Sequence, residues 1–371
     1  MNHDFKSIGN AFGLHGDLIS AEPYGSGHIN DTFAVVYRQA GTVVRYIFQR
    51  INDRIFKQVP ELMDNIRRVT EHQQERLRRE IPDDASRRSL TVIPVHDGAP
   101  YHRDESGSYW RAYFFIEGAR TYDLIETTAQ ARAAAGAFAR FQRELADLPG
   151  DRLYETVPDF HNTPKRYARL MQAVEKDPLN RAKNVAEEIG FFRERESIYD
   201  VLTKAVEDGS VPERVTHNDT KLNNVMIDDA TGEGVCVIDL DTVMPGTVLY
   251  DFGDLIRTGT NGGKEDARDL SSVSMRFDMF TAIADGYLEA ADGFLNEAEV
   301  ELLAMSGRII TLEIGIRFLT DHLNGDRYFK THRPGQNLDR CRSQIAMARS
   351  IEAQMKDMEQ WIQKKGAACV S

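Results

Sequence analysis

Hydrophobic positions change their spacing along the chain, from alternation in the first third to helical periodicity afterwards. A short helix with its following segment is predicted at residues 5–20, and an amphipathic helix at 58–79. Strands are predicted at residues 32–37, 43–50, 90–95 and 110–116. Later helices are predicted at residues 128–145, 165–176, 184–208, 265–291, 297–322 and 337–364. This order of elements predicts an α+β protein.

The length of 371 residues exceeds what one compact core usually holds, so two lobes are expected. The strands predict an N-terminal lobe at residues 1–116, built on an antiparallel sheet of about five strands and one helix. Residues 117–371 form a mainly helical C-terminal lobe, and the hinge lies at about 116–119. The two lobes are expected to carry different functions.

Charge and cysteine content narrow the possible functions. A net charge of −12 argues against a nucleic-acid-binding surface, which normally has a basic excess. Three widely separated cysteines without CxxC spacing predict neither a disulfide framework nor a zinc site. No apolar run approaches the length of a membrane span or resembles a signal region. We therefore expect a cytoplasmic protein that acts on a small molecule.

Polar residues are concentrated between Val215 and Arg257, where they alternate with apolar, strand-like runs. His217, Asp219 and Asn224 form the pattern H-x-D-x4-N, which places the Asp and the Asn at opposite ends of one tight loop. In phosphoryl transfer such an Asp accepts the proton of the attacking hydroxyl and such an Asn binds a metal ion. The pattern predicts Asp219 as the catalytic base and Asn224 as a ligand of Mg²⁺.

A second pair of carboxylates follows a predicted β-hairpin that turns at residues 228–232. Asp239 ends the buried strand and is predicted to bind Mg²⁺ together with Asn224 and the phosphates of ATP, and Asp241 is a further candidate. Asp251 begins a DFG sequence, but because it follows this strand we interpret it as a structural carboxylate at a helix start. The alternative is that these residues only cap turns, which Asp and Asn favour.

The first lobe offers candidates for the nucleotide. Gly25, Ser26 and Gly27 precede a strand, and glycine there lets backbone N–H groups approach phosphate. The strand at 43–50 lacks the lysine expected in a kinase-like lobe, so Arg50 is the predicted phosphate ligand and Arg45 the second choice. Glu61 is a possible partner of Arg50, and a solvated Glu61 is the alternative. Glu117 lies in the hinge, where backbone groups would bind adenine.

The helix predicted at 297–322 carries Glu313, Arg317 and Asp321 on one face. Such a stripe is often an exposed set of ion pairs. Here apolar residues surround it, so part of the face must be buried. A partly buried arginine is a candidate ligand for sugar hydroxyls or an acetamide oxygen.

Several motifs resemble those of the aminoglycoside phosphotransferase and choline kinase superfamily, especially of its N-acetylhexosamine 1-kinases. They are YGSGHIN at 24–30, VTHNDTKLNN at 215–224, IDLDTVMPG at 238–246, DFGD at 251–254 and GIRFLTDHLNGDRYF at 315–329. The resemblance implies a two-lobed, protein-kinase-like fold and ATP- and Mg²⁺-dependent phosphorylation of the anomeric hydroxyl of N-acetylglucosamine or N-acetylgalactosamine. It also implies that His28, Asp219, Arg317 and Tyr328 bind the sugar.

Two departures from this family leave alternatives open. Thr258 stands where an aromatic residue is expected, which leaves the acceptor open to other hexoses, amino alcohols or aminoglycosides. A cationic acceptor would require an acidic pocket, and Arg317 argues against one. The missing strand lysine also allows a module that binds a nucleotide without phosphoryl transfer, although Asp219, Asn224 and Asp239 oppose that alternative.

Overall fold

Interleaved parts of the chain form two compact units in the computed structural model, which describes residues 3–25, 29–122 and 124–366. Unit 1 consists of Met1–Asp123, Glu144–Pro158 and Val225–Pro245. Unit 2 consists of Leu124–Arg143, Asp159–Asn224 and Gly246–Ser371. The predicted boundary at 116–119 lies near the end of the first segment of unit 1, but two later segments belong to unit 1 as well. The assignment of separate functions to two lobes stays a prediction.

Strands and helices follow one another in the order expected for an α+β protein. The strands are β1 (Asp17–Pro23), β2 (Asp31–Gln39), β3 (Thr42–Ile51), β4 (His102–Arg103), β5 (Tyr109–Phe114), β6 (Ala119–Arg120), β7 (Arg214–Thr216), β8 (Val225–Asp228), β9 (Gly234–Val237) and β10 (Met244–Gly246). The helices are α1 (Phe5–Ala11), α2 (Val59–Glu80), α3 (Ala85–Arg88), α4 (Thr128–Glu144), α5 (Thr163–Lys176), α6 (Ala186–Arg193), α7 (Val201–Glu207), α8 (Val248–Gly259), α9 (Phe277–Ala291), α10 (Glu297–Leu323) and α11 (Gln336–Gly366).

The main sheet of unit 1 is antiparallel and has, within the described residues, the strand order β1-β2-β3-β5-β4. Ala40 and Gly41 join β2 to β3 with positive φ angles of 48° and 85°, as a tight hairpin turn requires. Alternate residues of β2, β3 and β5 bury Val35, Phe48 and Trp110 in a core that α1 also covers. A smaller antiparallel sheet has the order β6-β8-β9.

One local prediction in unit 1 is wrong. Residues 90–95 form no strand beyond a single bridge between Val92 and Tyr113, because Pro94 has no N–H group to continue a ladder. The short helix predicted within residues 5–20 is confirmed as α1, and the segment after it leads into β1. Gly13 and Gly16, at φ 66° and 133°, lie between α1 and β1 in conformations that favour glycine.

Unit 2 is organised around α10, whose side chains are buried on nearly all sides. The helix packs against α5, α8 and α11, which explains why its apolar residues do not follow one stripe. Its start is fixed by a capping box, in which Asn296 and Glu299 each bind the other's backbone N–H. The antiparallel sheet of unit 1 and the helices of unit 2 confirm the predicted fold class.

Two long helices predicted in unit 2 are shorter in the structure. The predicted helix at 184–208 is divided into α6 and α7 by a 3-10 turn at Glu196–Ile198. Of the predicted helix at 265–291, only α9 is α-helical, after a 3-10 turn at Leu270–Ser272 that Asp269 caps. Within the described ranges, no helix combines the length and apolar character that a membrane crossing requires.

Candidate active site

Asp251 anchors the loop that follows β7. It lies in the first turn of α8 and is fully buried. Its carboxylate accepts hydrogen bonds from the backbone N–H groups of His217 at 2.9 Å and Asn218 at 2.7 Å, and its carbonyl accepts one from the Thr220 hydroxyl at 2.5 Å. Burial raises the pKa of Asp251 although these hydrogen bonds oppose that change. The predicted structural role of Asp251 at a helix start is therefore confirmed.

Asn218 has the left-handed backbone conformation that turns the chain into Asp219, with φ 64°. Its side chain accepts a hydrogen bond from the Thr216 hydroxyl at 3.1 Å and donates one to the Thr216 carbonyl at 3.2 Å. Asn tolerates this conformation because its short amide can bond locally. The Asp219 side chain, 30% exposed, can therefore reach a substrate from a rigid loop.

Positive charges surround the Asp219 carboxylate. Lys221 lies 3.7 Å from it, and burial alone would raise the pKa of Asp219. Lys221, His217, Arg257 and His161 together reverse this effect and hold the pKa below its ordinary value. Asp219 is therefore ionised at neutral pH, as a proton acceptor must be.

Asn224 ends the same loop. Its side-chain Nδ2 donates a hydrogen bond to the carbonyl of Asp219 at 2.9 Å. This bond fixes the orientation of the amide and leaves Oδ1, a ligand type that Mg²⁺ accepts, on the opposite side of the group.

Asp239 and Asp241 belong to unit 1, where they follow the β8-β9 hairpin. Asp239 is in the left-handed region, with φ 60° and ψ 55°, and precedes a 3-10 turn at Leu240–Thr242. Asp241 is almost fully buried. One oxygen accepts a hydrogen bond from Arg111 and the other from Nδ2 of Asn30 at 2.5 Å. Asp241 is thus held inside unit 1 by Arg111 and Asn30, and its assistance in binding Mg²⁺ stays a prediction.

Arg111 is a residue that the sequence analysis missed. It points from β5 into the interior of unit 1, is 1% exposed, and donates to Asp241 and, at 2.9 Å, to Oε1 of Gln49. Burial disfavours its charge, but Asp241 outweighs burial and the pKa of Arg111 is raised. The only feature of the sequence that singles out Arg111 is its charge within the apolar, strand-forming run WRAYF.

The candidate nucleotide residues of unit 1 have other partners. Arg50 pairs with Asp31, which is opposite it in the β2-β3 ladder, with Nε and Oδ2 2.8 Å apart. The suggested pairing with Glu61 is therefore wrong. Arg45 binds Glu117 through two nitrogens and lies over the ring of Phe115 at 3.8 Å. Both arginines are partly exposed.

The glycine turn is described only at its start. Gly25 has φ 79°, and a Cβ added there would meet none of the described residues within 4 Å. Ser26, Gly27 and His28 lie outside the described residues, so their predicted roles stay predictions.

His161 and Glu313 form a buried pair in unit 2. Nδ1 of His161 lies 2.9 Å from Oε1 of Glu313, and Nε2 lies 3.0 Å from the carbonyl of Asn218. Thr163 donates to the other Glu313 oxygen at 2.7 Å. Both side chains are almost fully buried, so Glu313 does not belong to an exposed stripe of ion pairs.

Arg317 lies one helical turn after Glu313 and is partly buried. Its guanidinium faces the rings of Phe160, Phe329 and Tyr328 at 5.2, 5.6 and 5.9 Å. In the part of the chain that the structure describes, no carboxylate forms a salt bridge with it. Its role as a ligand of the sugar stays a prediction.

Asp321 positions the segment that contains Tyr328. Its oxygens accept hydrogen bonds from the backbone N–H groups of Arg327, Tyr328 and Phe329 at 2.8–2.9 Å, and from Nδ2 of Asn337 at 2.9 Å. The Tyr328 side chain is 63% exposed and lies beside Arg317. The structure thus brings Arg317 and Tyr328 together, and their role in binding a sugar stays a prediction.

A model of the phosphotransferase enzyme family matches residues 20–276, which include the H-x-D-x4-N loop and Asp239. The chain belongs to the phosphotransferase enzyme family. It is therefore an enzyme of the kinase type, and its predicted superfamily is confirmed.

Solved structures share the fold across nearly the whole chain. An aminoglycoside phosphotransferase from Alicyclobacillus acidocaldarius has 14% identity and a TM-score of 0.57, with 97% of this chain and 96% of that chain covered. A spectinomycin phosphotransferase in complex with ADP and spectinomycin has 12% identity and a TM-score of 0.56, with 94% and 97% covered. A choline kinase from Cryptosporidium parvum has 14% identity and a TM-score of 0.55, with 97% and 98% covered. These likenesses support the protein-kinase-like fold.

Proposed function

We propose that this phosphotransferase uses ATP and Mg²⁺ to phosphorylate the anomeric 1-hydroxyl of an N-acetylhexosamine, N-acetylglucosamine or N-acetylgalactosamine. The observation that supports a sugar acceptor most directly is Arg317, a partly buried guanidinium with aromatic neighbours and no salt bridge to the described residues. The N–H groups of arginine suit hydroxyl and acetamide oxygens, and the positive charge of Arg317, which already lies over these rings, repels cationic acceptors such as choline or aminoglycosides. The ADP in the spectinomycin phosphotransferase complex supports a nucleotide as phosphoryl donor.

Asp219 is the proposed base. Its ionised carboxylate accepts the proton of the sugar 1-hydroxyl while O1 forms a bond to the γ-phosphorus of ATP. The bond between that phosphorus and the bridging oxygen breaks, and ADP leaves with the electron pair. Asp219 then returns the proton to solvent. The hydrogen bonds that the N–H groups of His217 and Asn218 donate to Asp251 keep the loop, and with it Asp219, in place during this step.

Asn224 and Asp239 are the proposed protein ligands of Mg²⁺. The donor set fits the metal, because the Asn224 amide presents its oxygen and Asp239 adds a carboxylate. Among the described residues, no group of three or more His, Cys, Asp or Glu side chains could hold a metal ion, so phosphate oxygens and water would complete the coordination. When bound, Mg²⁺ neutralises charge on the phosphates.

The remaining assignments concern the two substrates. We assign His28, Arg317 and Tyr328 to the sugar, and Gly25, Ser26, Gly27 and Arg50 to the phosphates of ATP. Glu117 belongs to the proposed adenine-binding hinge, where its backbone and not its side chain would contact the base. Two nitrogens of Arg45 already bind the Glu117 carboxylate, which supports a contact with adenine through the backbone and not through the side chain.

The proposal is tested by ADP release with ATP and Mg²⁺ across N-acetylglucosamine, N-acetylgalactosamine, glucose, galactose, choline and kanamycin. Phosphorus NMR of the product identifies the modified oxygen. We expect a 1-phosphate of an N-acetylhexosamine. Turnover only with choline or kanamycin would overturn the sugar assignment, and ATP binding without turnover of any acceptor would favour a non-catalytic binding module.

A further inference from the structure

Arg166, on α5, is a second guanidinium beside the proposed sugar site. Its Nη2 donates to the carbonyl of Phe160 at 2.9 Å. Phe160 is also the residue whose ring faces Arg317 at 5.2 Å. The two arginines therefore approach one residue, Arg166 from its backbone and Arg317 from its ring.

Arg166 is incompletely satisfied. Its Nε is buried and has no hydrogen-bond partner among the residues that the structure describes. Buried N–H groups without a partner are rare in native proteins, because they lose their hydrogen bonds to water and gain none in return. An acceptor atom of a bound ligand would satisfy this donor.

The acidic residues nearby are already paired. Glu313 is the acid whose charge acts on Arg166, but its two oxygens accept hydrogen bonds from His161 and Thr163. Asp159 lies 2.6 Å from Lys165 and 3.6 Å from Arg169. Arg166 and Arg317 are thus left as two neighbouring positive charges.

This arrangement disfavours the charge of Arg166. Burial first, and then the charge of Arg317, lower the pKa of Arg166 to about 10. Hydroxyl and acetamide oxygens can accept the available N–H groups, but only an anion also offsets the repulsion between the two guanidinium groups. Arginine binds carboxylate and phosphate with two parallel hydrogen bonds, which adds specificity to the attraction.

We propose that Arg166 and Arg317 form an anion subsite, and that the acceptor is a sugar with a carboxylate or phosphate substituent away from the reacting hydroxyl. The inference rests on the proposed function and specifies its acceptor as a sugar that carries an anionic group. Arg166 becomes a specificity-determining residue in addition to the sugar ligands named above. A comparison of phosphorylated and carboxylated sugars identifies the anionic group.

The kinetic test compares N-acetylglucosamine with its 6-phosphate and with the corresponding uronic acid, at constant ionic strength and with the full chain. We expect kcat/KM to be about ten-fold or more higher for one anionic sugar, since hydrogen bonds to charged groups contribute about 1.5–3 kcal/mol. In Arg166→Gln the ratio of anionic to neutral kcat/KM should fall by a similar factor. Arg169→Gln is the matched control, because Arg169 lies on the same helix, is 49% exposed and pairs with Asp159.

A binding measurement separates this inference from the proposed function. Isothermal titration with glucuronate, inorganic phosphate and glucose requires no turnover, so it remains informative if no sugar is phosphorylated. Binding of glucuronate or phosphate to the wild type and to Arg169→Gln, with at least about ten-fold weaker binding to Arg166→Gln, supports the subsite. Equal binding to all three proteins, no anion binding, or a preference for neutral sugars would overturn it.

Discussion

His161 and Glu313 form a hydrogen-bonded pair in the interior of unit 2, with 2.9 Å between Nδ1 and Oε1. The other ring nitrogen faces the carbonyl of Asn218 at 3.0 Å. A neutral imidazole has one N–H group, so two acceptors favour the imidazolium. Burial lowers the pKa of His161, but Glu313 and the carbonyl outweigh it and the pKa is raised. His161 lowers the pKa of Glu313 although burial opposes this.

This pair should make the stability of the protein depend on pH. A raised folded-state pKa means that the contribution of His161 is complete below its unfolded value of about 6.5, and is lost as pH rises through the folded pKa. Glu313 sets the acidic limit, since its contribution is lost as pH falls through its lowered pKa. We expect His161→Gln to reduce the free energy of unfolding most at about pH 5.5–6 and less above that range. Urea denaturation at several pH values measures this difference.

The control is made in the variant Glu313→Gln, which lacks the negative charge of the pair. In that variant the additional change His161→Gln should have an effect that varies little with pH, because the ion pair is already absent. If the difference between wild type and His161→Gln grew with rising pH, the imidazolium assignment would be wrong.

Asp219→Asn should abolish most turnover without unfolding the protein. The amide cannot accept the hydroxyl proton, and general bases contribute about 10²–10⁴-fold to rate. The change keeps the shape of the side chain, and the backbone bonds to Asp251 remain. ADP release measures the rate, while circular dichroism and the melting temperature test the fold. Near-normal turnover in a folded variant would remove Asp219 from its role.

Lys221→Met should move the acidic limb of the pH profile of kcat/KM to higher pH. After burial, which acts in the opposite direction, Lys221 is the largest influence on the pKa of Asp219. Without its charge the carboxylate takes up a proton more readily, so the base is lost at a higher pH. Lys221→Arg keeps the charge and should keep the limb near its wild-type position. An unchanged limb in Lys221→Met would exclude this electrostatic role.

The sequence predicts those parts of the site whose residues are close together in the chain. Asp219 and Asn224 lie within one motif and Asp251 begins another, and the apolar neighbours of Arg317 indicate that its helix face is partly buried. Pairs of residues that are far apart in the chain leave no comparable pattern in the sequence. Arg111 and Asp241 are 130 positions apart and meet only because β5 and the segment after β9 fold into one unit. Arg166 and Arg169 look alike in the sequence, and only packing distinguishes them.

Arg111 and Asp241 should contribute strongly to stability when only one of them is removed. Either Arg111→Leu or Asp241→Leu leaves a buried charge without its partner, which typically costs about 3–5 kcal/mol. The double variant should be destabilised less than the sum of the single changes, because neither charge remains. Chemical denaturation measures all three. Arg120→Leu is the control, since its pair with Asp229 is exposed and should contribute little to stability.

Asp321→Asn should impair acceptor binding more than ATP binding. The Asp321 carboxylate accepts three successive backbone N–H groups, and an amide offers only one oxygen and places N–H groups against the others. The segment that holds Tyr328 beside Arg317 would loosen, so KM for the sugar should rise by about ten-fold while KM for ATP changes little. Tyr328→Phe tests the hydroxyl separately and leaves the backbone bonds intact. Equal increases in both KM values would indicate general destabilisation of unit 2 instead, because a loosened acceptor segment has no reason to weaken ATP binding to the same extent.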